Sequence, residues 1–220
     1  MSVSGKFPDT DTATAMPIDL KELLAPMHSA LLLMECQEGI IGGGARLGAL
    51  GEAVARHGTI EHIGRMLAAA RKAQVPVFYL TVARRADGGG GTANCLLLAL
   101  GRKGTPLLPG SAQHAVVHAL APHDGDYVVN RFHGVTPFHG TELDQLLRNL
   151  GVRTVVATGV SVNIGITGLT IEAVNCGYQV VIPREAVAGT PDTHVDSMFE
   201  HTLRLLATVT TVDQVVRAWQ

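Results

Sequence analysis

Thiols are scarce in this chain. Cys36, Cys95 and Cys176 are the three in 220 residues, an odd number with no metal-ligand spacing. That excludes a disulfide framework and a thiolate metal site, and it suits a reduced intracellular compartment. Charge is also low: 16% of residues are charged and the formal net charge is −2. No electrostatic footprint for nucleic acid or an anionic membrane surface is visible. No uninterrupted apolar run approaches the roughly 20 residues that cross a bilayer. Residues 1–15 are mostly polar and lack the charged and apolar regions of a signal peptide. The expectation is a soluble cytoplasmic protein with no nucleic-acid or membrane partner.

What is abundant is apolar residue, 46% of the chain, enough for a sizeable core in one domain. Residues 1–17 are expected to be a flexible tail and 18–220 one folded domain. Within it, short apolar runs alternate with helix-period segments. The run Ala30-Leu31-Leu32-Leu33-Met34 has the bounded, continuous form of a strand covered on both faces. Residues 60–73 carry apolar groups at helical spacing, and a second strand follows over 75–80. Further strands are expected at 127–129, 155–157, 179–182 and 208–210. Helices are expected at 143–150, 166–175 and 194–206, with a last one from Val212. This alternation predicts a three-layer, Rossmann-like α/β fold, a mainly parallel sheet of about six strands with helices on both faces. The glycine run 88–91 predicts a loop near the carboxyl edge of the second strand.

In such sheets ligands bind beyond the carboxyl ends of the strands. There the first strand ends in Glu35, the third in Asn130-Arg131-Phe132-His133, and the fourth in the turn Gly159 to Gly165. A carboxylate, a guanidinium and a glycine-containing turn at a helix start would converge on one cleft. Backbone N–H groups of such a turn can hold a developing oxyanion.

The runs Ala30 to Gln37, Pro137-Phe138-His139-Gly140-Thr141-Glu142-Leu143 and Thr158 to Gly165 resemble the isochorismatase-like, or cysteine hydrolase, superfamily. The likeness continues through Ala173 to Tyr178 into Arg184-Glu185-Ala186, and covers residues 28–212. The resemblance implies an α/β hydrolase acting on a small-molecule substrate, with no cofactor and no metal. It also implies a homodimer or higher homo-oligomer and a cis non-proline peptide at Val160–Ser161. The family's amidases use an Asp, a Lys and a Cys. By matched spacing these places hold Glu35, Arg131 (or its neighbour Phe132) and Gly165. The superfamily's isochorismatases also resemble this chain in having glycine there, and they cleave a vinyl ether by protonation and water attack without a covalent nucleophile.

On that pattern Glu35 is the acid/base, Arg131 pairs with a substrate carboxylate, and the 160–165 turn polarises through its backbone. Ser161, Asn163, Ile164, His133 and Phe138 are the expected substrate-binding residues. Plainer readings stand beside these. Glu35 and Arg131 equally read as a salt bridge between strand ends. Asn163 equally reads as a helix N-cap. His114 and His118, four apart with no third ligand, read as helix surface. No cysteine is well placed as a substitute nucleophile: Cys36 should face away from Glu35 on its strand, and Cys176 lies about 16 Å along the helix from Gly165. Three functions follow: a hydrolase without a thiol nucleophile, a catalytically silent binding protein, or an amidase with a different nucleophile.

Overall fold

The computed structural model describes residues 19–43, 48–104 and 106–220, so the expected 1–17 tail lies outside the described residues. Seven strands form one sheet: β1 Ser29–Met34, β2 Val77–Val82, β3 Tyr127–Arg131, β4 Thr154–Val160, β5 Gln179–Pro183, β6 Val187–Ala188 and β7 Thr208–Thr210. The order is β3-β2-β1-β4-β5-β7, with β6 paired to β4, and every pairing is parallel. The α/β architecture is therefore as the alternation of runs predicts.

The apolar runs are continuous because the sheet is covered on both sides. All six residues of β1 are buried, and alternate side chains enter opposite cores. Leu31 and Leu33 pack with Leu50, Ile63, Met66 and Val215, from helices Gly48–Arg56, Thr59–Lys72 and Val212–Ala218. Leu32 and Met34 pack with Leu143, Leu147, Leu169 and Val195, from helices Leu143–Asn149, Thr167–Asn175 and Asp192–Met198. Truncating any fully buried leucine of β1 to alanine costs about 2–5 kcal/mol.

Helix Thr59–Lys72 ends where Gln74 takes φ 57°, and the N–H of Val75 reaches back to the carbonyl of Ala70. This closing loop satisfies a carbonyl that has no partner inside the helix. Pro76 follows and has no N–H, so the ladder starts at Val77 rather than at Val75, although Pro76 O still accepts from Leu31 N at 2.9 Å.

Three other departures from the sequence expectation have local causes. β6 is two residues long, below the length at which a strand pattern shows, and it pairs with the outer end of β4 through Gly159↔Val187 and Val160↔Ala188. The 194–206 segment divides into helix Asp192–Met198, a wide turn Phe199–Leu203 and a last turn Arg204–Leu206. His114 and His118 do not share a helix: His114 lies in a turn and His118 begins the single turn His118–Leu120.

Candidate active site

Three strand ends meet beyond the carboxyl edge of β1, β2 and β3. Glu35 follows β1 and leaves the sheet at φ 52°, in the left-handed region that non-glycine residues rarely adopt. Its N–H remains bonded to Leu80 O at 3.0 Å. Arg131 is the last residue of β3, standing opposite Val82 across the β2–β3 ladder. β2 lies between them, so the Glu35 carboxylate passes over the end of β2 to meet Arg131.

Arg131 Nη2 donates to Glu35 Oε1. The arginine side chain is 3% exposed and the glutamate 19%. Of the two neighbours the spacing left open, Arg131 is buried, as is Val129, whereas Phe132 is 42% exposed. Arg131 Nε and Nη1 are buried with no hydrogen-bond partner. A guanidinium presents five N–H donors and cannot lose its proton, so leaving two of its nitrogens dry and unpaired is costly.

The turn after β4 is shaped by two glycines. Gly159 has φ 101°, and a Cβ there would lie 2.2 Å from Met34 O. The Val160–Ser161 peptide is cis, as the resemblance implied. Residues Val162–Ile166 then form one wide helical turn leading into helix Thr167–Asn175. Within it, a Cβ on Gly165 would sit 2.6 Å from Val160 O and 3.3 Å from Met34 Cε. A side chain at 165 would therefore require the Val160 carbonyl to move.

The residues expected to bind substrate stand as follows in the structure. The turn's N–H groups are partly engaged, since Ile164 N and Ile166 N both donate to Ser161 O, at 3.2 and 2.9 Å. Ile164 therefore offers no free N–H to an oxyanion. Asn163 is not an N-cap; it stands inside the wide turn, whose capping position is Ser161. Phe138 is buried in the core, its ring 6.0 Å from that of Tyr178, so it packs against a helix layer. His133 and His139 meet edge to face at 6.4 Å, one half-buried and one exposed.

Two of the cysteines are held as neutral thiols, and the third is exposed. Cys36 is fully buried in the core on the opposite side from Met34, and burial, with a smaller contribution from the Glu35 charge, pushes its thiol up to about 12. Cys176 ends the helix region at the amino-terminal edge of the sheet, and desolvation raises its thiol too. Cys95 is exposed.

A polar group that the sequence reading passed over surrounds the pair. Gln37 is fully buried, and its amide bonds Val82 and His114; the His114 ring bonds Asn130, the residue before Arg131. A glutamine two residues after a strand-ending carboxylate is the signal that pointed there. Two clefts are also present. The larger, about 760 Å³, lies at the opposite, amino-terminal end of the sheet, between His28, Arg148, Arg153 and Tyr178. The smaller, about 410 Å³, is lined by Arg85, Asp87, Pro109 and Phe132, beyond the ends of β2 and β3. Neither is lined by Glu35 or Arg131; the smaller one includes Phe132, the residue after Arg131. Among the described residues no group of three potential metal ligands occurs, and no helix is long and apolar enough to cross a membrane.

The sheet order and the strand-end site define the class: a three-layer α/β protein with its polar constellation at the carboxyl edge of a parallel sheet. Residues 29–214 match the isochorismatase domain, and the chain belongs to that family. It is 32% identical to an N-carbamoylsarcosine amidase of an Arthrobacter species over 130 residues, 58% of this chain and 48% of that protein. It is 35% identical to a ureidoacrylate amidohydrolase of Methylobacterium radiotolerans over 156 residues, 64% of this chain and 59% of that protein. The matched stretches thus span about half the length of these relatives. An isochorismatase family protein from Desulfovibrio vulgaris superposes with TM-score 0.74 at 26% identity, covering 84% of this chain and 94% of that one.

Proposed function

We propose that this protein is a hydrolase of a small carboxylate-bearing metabolite, working by acid/base catalysis at Glu35 with no covalent nucleophile. The observation that carries this is the buried Glu35–Arg131 pair, with two arginine nitrogens unpartnered, beside a turn whose residue 165 has no room for a side chain. A substrate carboxylate accepting from Arg131 Nη1 competes with Glu35 for the Nη1/Nη2 edge of the guanidinium. Glu35 then takes up a proton and becomes the acid.

For a vinyl ether, the chemistry of the family's isochorismatases, Glu35 delivers that proton to the terminal vinyl carbon. Water adds to the resulting oxocarbenium and its proton returns to the carboxylate. The hemiketal collapses to a ketone and an alcohol, so one water is consumed and the catalyst is regenerated. The relatives named as amidases suggest ureido or amide substrates as the next class to screen. Turnover of isochorismate, N-carbamoylsarcosine and ureidoacrylate by the purified protein is the direct test. Glu35→Gln is expected to lower kcat by about 10²–10⁴-fold; full activity in that variant would remove Glu35 from the chemistry.

A second reading is favoured by the same ion pair. If Glu35 never leaves Arg131, the site binds a ligand without turning it over. Calorimetric binding of a substrate that is not consumed overnight would select that reading.

A further inference from the structure

We infer that Gln37 is a positioning residue for Glu35: its side-chain amide replaces the missing rung of β1 against β2 and so fixes where the carboxylate crosses to Arg131. The inference rests on the catalytic reading above for its consequence, but on geometry for its content.

Val82 is the last residue of β2 and pairs on one side with Arg131. On its other side β1 has already departed, because the chain turns at Glu35. Both polar groups of Val82 facing that side would be buried and bare, at about 1–3 kcal/mol each. Gln37 meets both. Its Oε1 accepts from Val82 N at 2.8 Å, and its Nε2 donates to Val82 O at 3.1 Å. The two bonds close a ring like that of a strand pair, made by a side chain instead of a backbone.

The same Nε2 donates to His114 O at 2.9 Å. Gln37 N donates to Glu35 O at 2.8 Å, tying the amide's own backbone to the residue it serves. From His114 the brace continues: Nε2 donates to Asn130 Oδ1 at 3.0 Å, and Thr81 Oγ1 donates to that same oxygen at 3.0 Å. The path therefore begins two residues after Glu35 and ends one residue before Arg131. It makes no hydrogen bond to Arg131 Nε or Nη1.

A role limited to satisfying Val82 and a role in placing Glu35 separate in the variant Gln37→Glu. Protonated, the new carboxyl offers one O–H and one carbonyl oxygen, so it can still bind both groups of Val82. His114 O loses its donor in either form, but the ionised acid has no donor at all, so it leaves Val82 O unpartnered as well and adds a negative charge there. The clasp then opens and closes with pH in this variant only.

The readout is solvent exchange of the Arg131 Nε–H, measured by NMR in the ligand-free protein between about pH 5 and 8, with Gln37→Ala alongside. Exchange in Gln37→Glu is expected to follow the wild type at the acid end and to exceed it by about tenfold or more once the introduced carboxyl ionises. Gln37→Ala is expected to be faster by about that factor at every pH. A folded Gln37→Ala protein whose Arg131 exchange matches the wild type overturns the inference, as does a Gln37→Glu protein whose exchange still matches it once the introduced carboxyl, held towards its neutral form by burial, has ionised. So does a Gln37→Glu protein that stays unfolded at pH 5, where the protonated acid should restore the clasp. Should Gln37→Ala not fold, the glutamate variant alone decides. Absence of any turnover by the wild type would remove the catalytic reading while leaving the exchange result standing.

Discussion

Placing alanine at position 165 adds one methyl group to a wide turn with no space for it. The new Cβ would stand 2.6 Å from Val160 O, 3.2 Å from Val160 C and 3.3 Å from Met34 Cε. Ordinary carbon contacts begin near 3.5 Å, so a backbone carbonyl, not a flexible chain end, must move by most of an ångström. Overpacking of a well-filled core costs about 1–3 kcal/mol, and a backbone obstruction belongs at the upper end. Against this, alanine regains about 1 kcal/mol over glycine in a helical segment. The net is a loss of about 2 kcal/mol. For a domain of this size that lowers Tm by roughly 4–8 °C, at about 2–4 °C per kcal/mol. Urea denaturation of wild type and Gly165→Ala, comparing midpoints at equal slope, measures it. A midpoint equal to or above the wild type would refute the steric account. Gly165→Cys should be destabilised at least as much, and should gain no amidase activity from its new thiol.

The other expectations concern the pair and the buried groups. Arg131→Lys keeps the charge but loses the planar fork, so calorimetric affinity for benzoate, a simple carboxylate probe, should fall about 10–100-fold with little change in fold. Iodoacetamide at pH 8 should label exposed Cys95 quickly and leave buried Cys36 untouched, without loss of turnover; inactivation that a Cys95→Ser change prevents would revive a thiol mechanism. Burial pushes Cys36 and Tyr79 up to about 12, from 9.0 and 10.0. Their neutral forms are favoured in the fold, so this contribution is complete below pH 9 and is lost as pH rises towards 12. Unfolding free energies from urea denaturation should accordingly fall across that window, by up to about 1.4 kcal/mol per pH unit for each group.

Much of the fold was legible because a parallel sheet buried on both faces writes itself as bounded apolar runs. Residues 30–34 and 155–157 could be read directly for that reason. Two-residue β6 could not, since its position depends on pairing with Gly159 and Val160, far away in sequence. Helix Leu96–Gly101 was missed because Leu96 and Leu100 remain exposed, which hides any amphipathic stripe. In the site, strand ends named Glu35 and Arg131 as candidates. Spacing left Arg131 and Phe132 undecided; the alternation of β3 buries Arg131, a pairing of burial with residue that spacing does not carry. That Gly165 is closed off by Val160 O depends on a backbone contact invisible to residue identity. Gln37 looked like an ordinary polar residue after a strand until Val82 was seen to lack a neighbour there.

Because successive side chains of β1 serve opposite cores, adding or deleting one residue between Ser29 and Met34 would invert the whole strand. Glu35 would swing to the wrong side together with the leucines. Insertions and deletions that preserve function should therefore fall outside this stretch, for example in the glycine-bearing loop after β2. Randomising segment length at both places and sequencing the survivors would show the asymmetry.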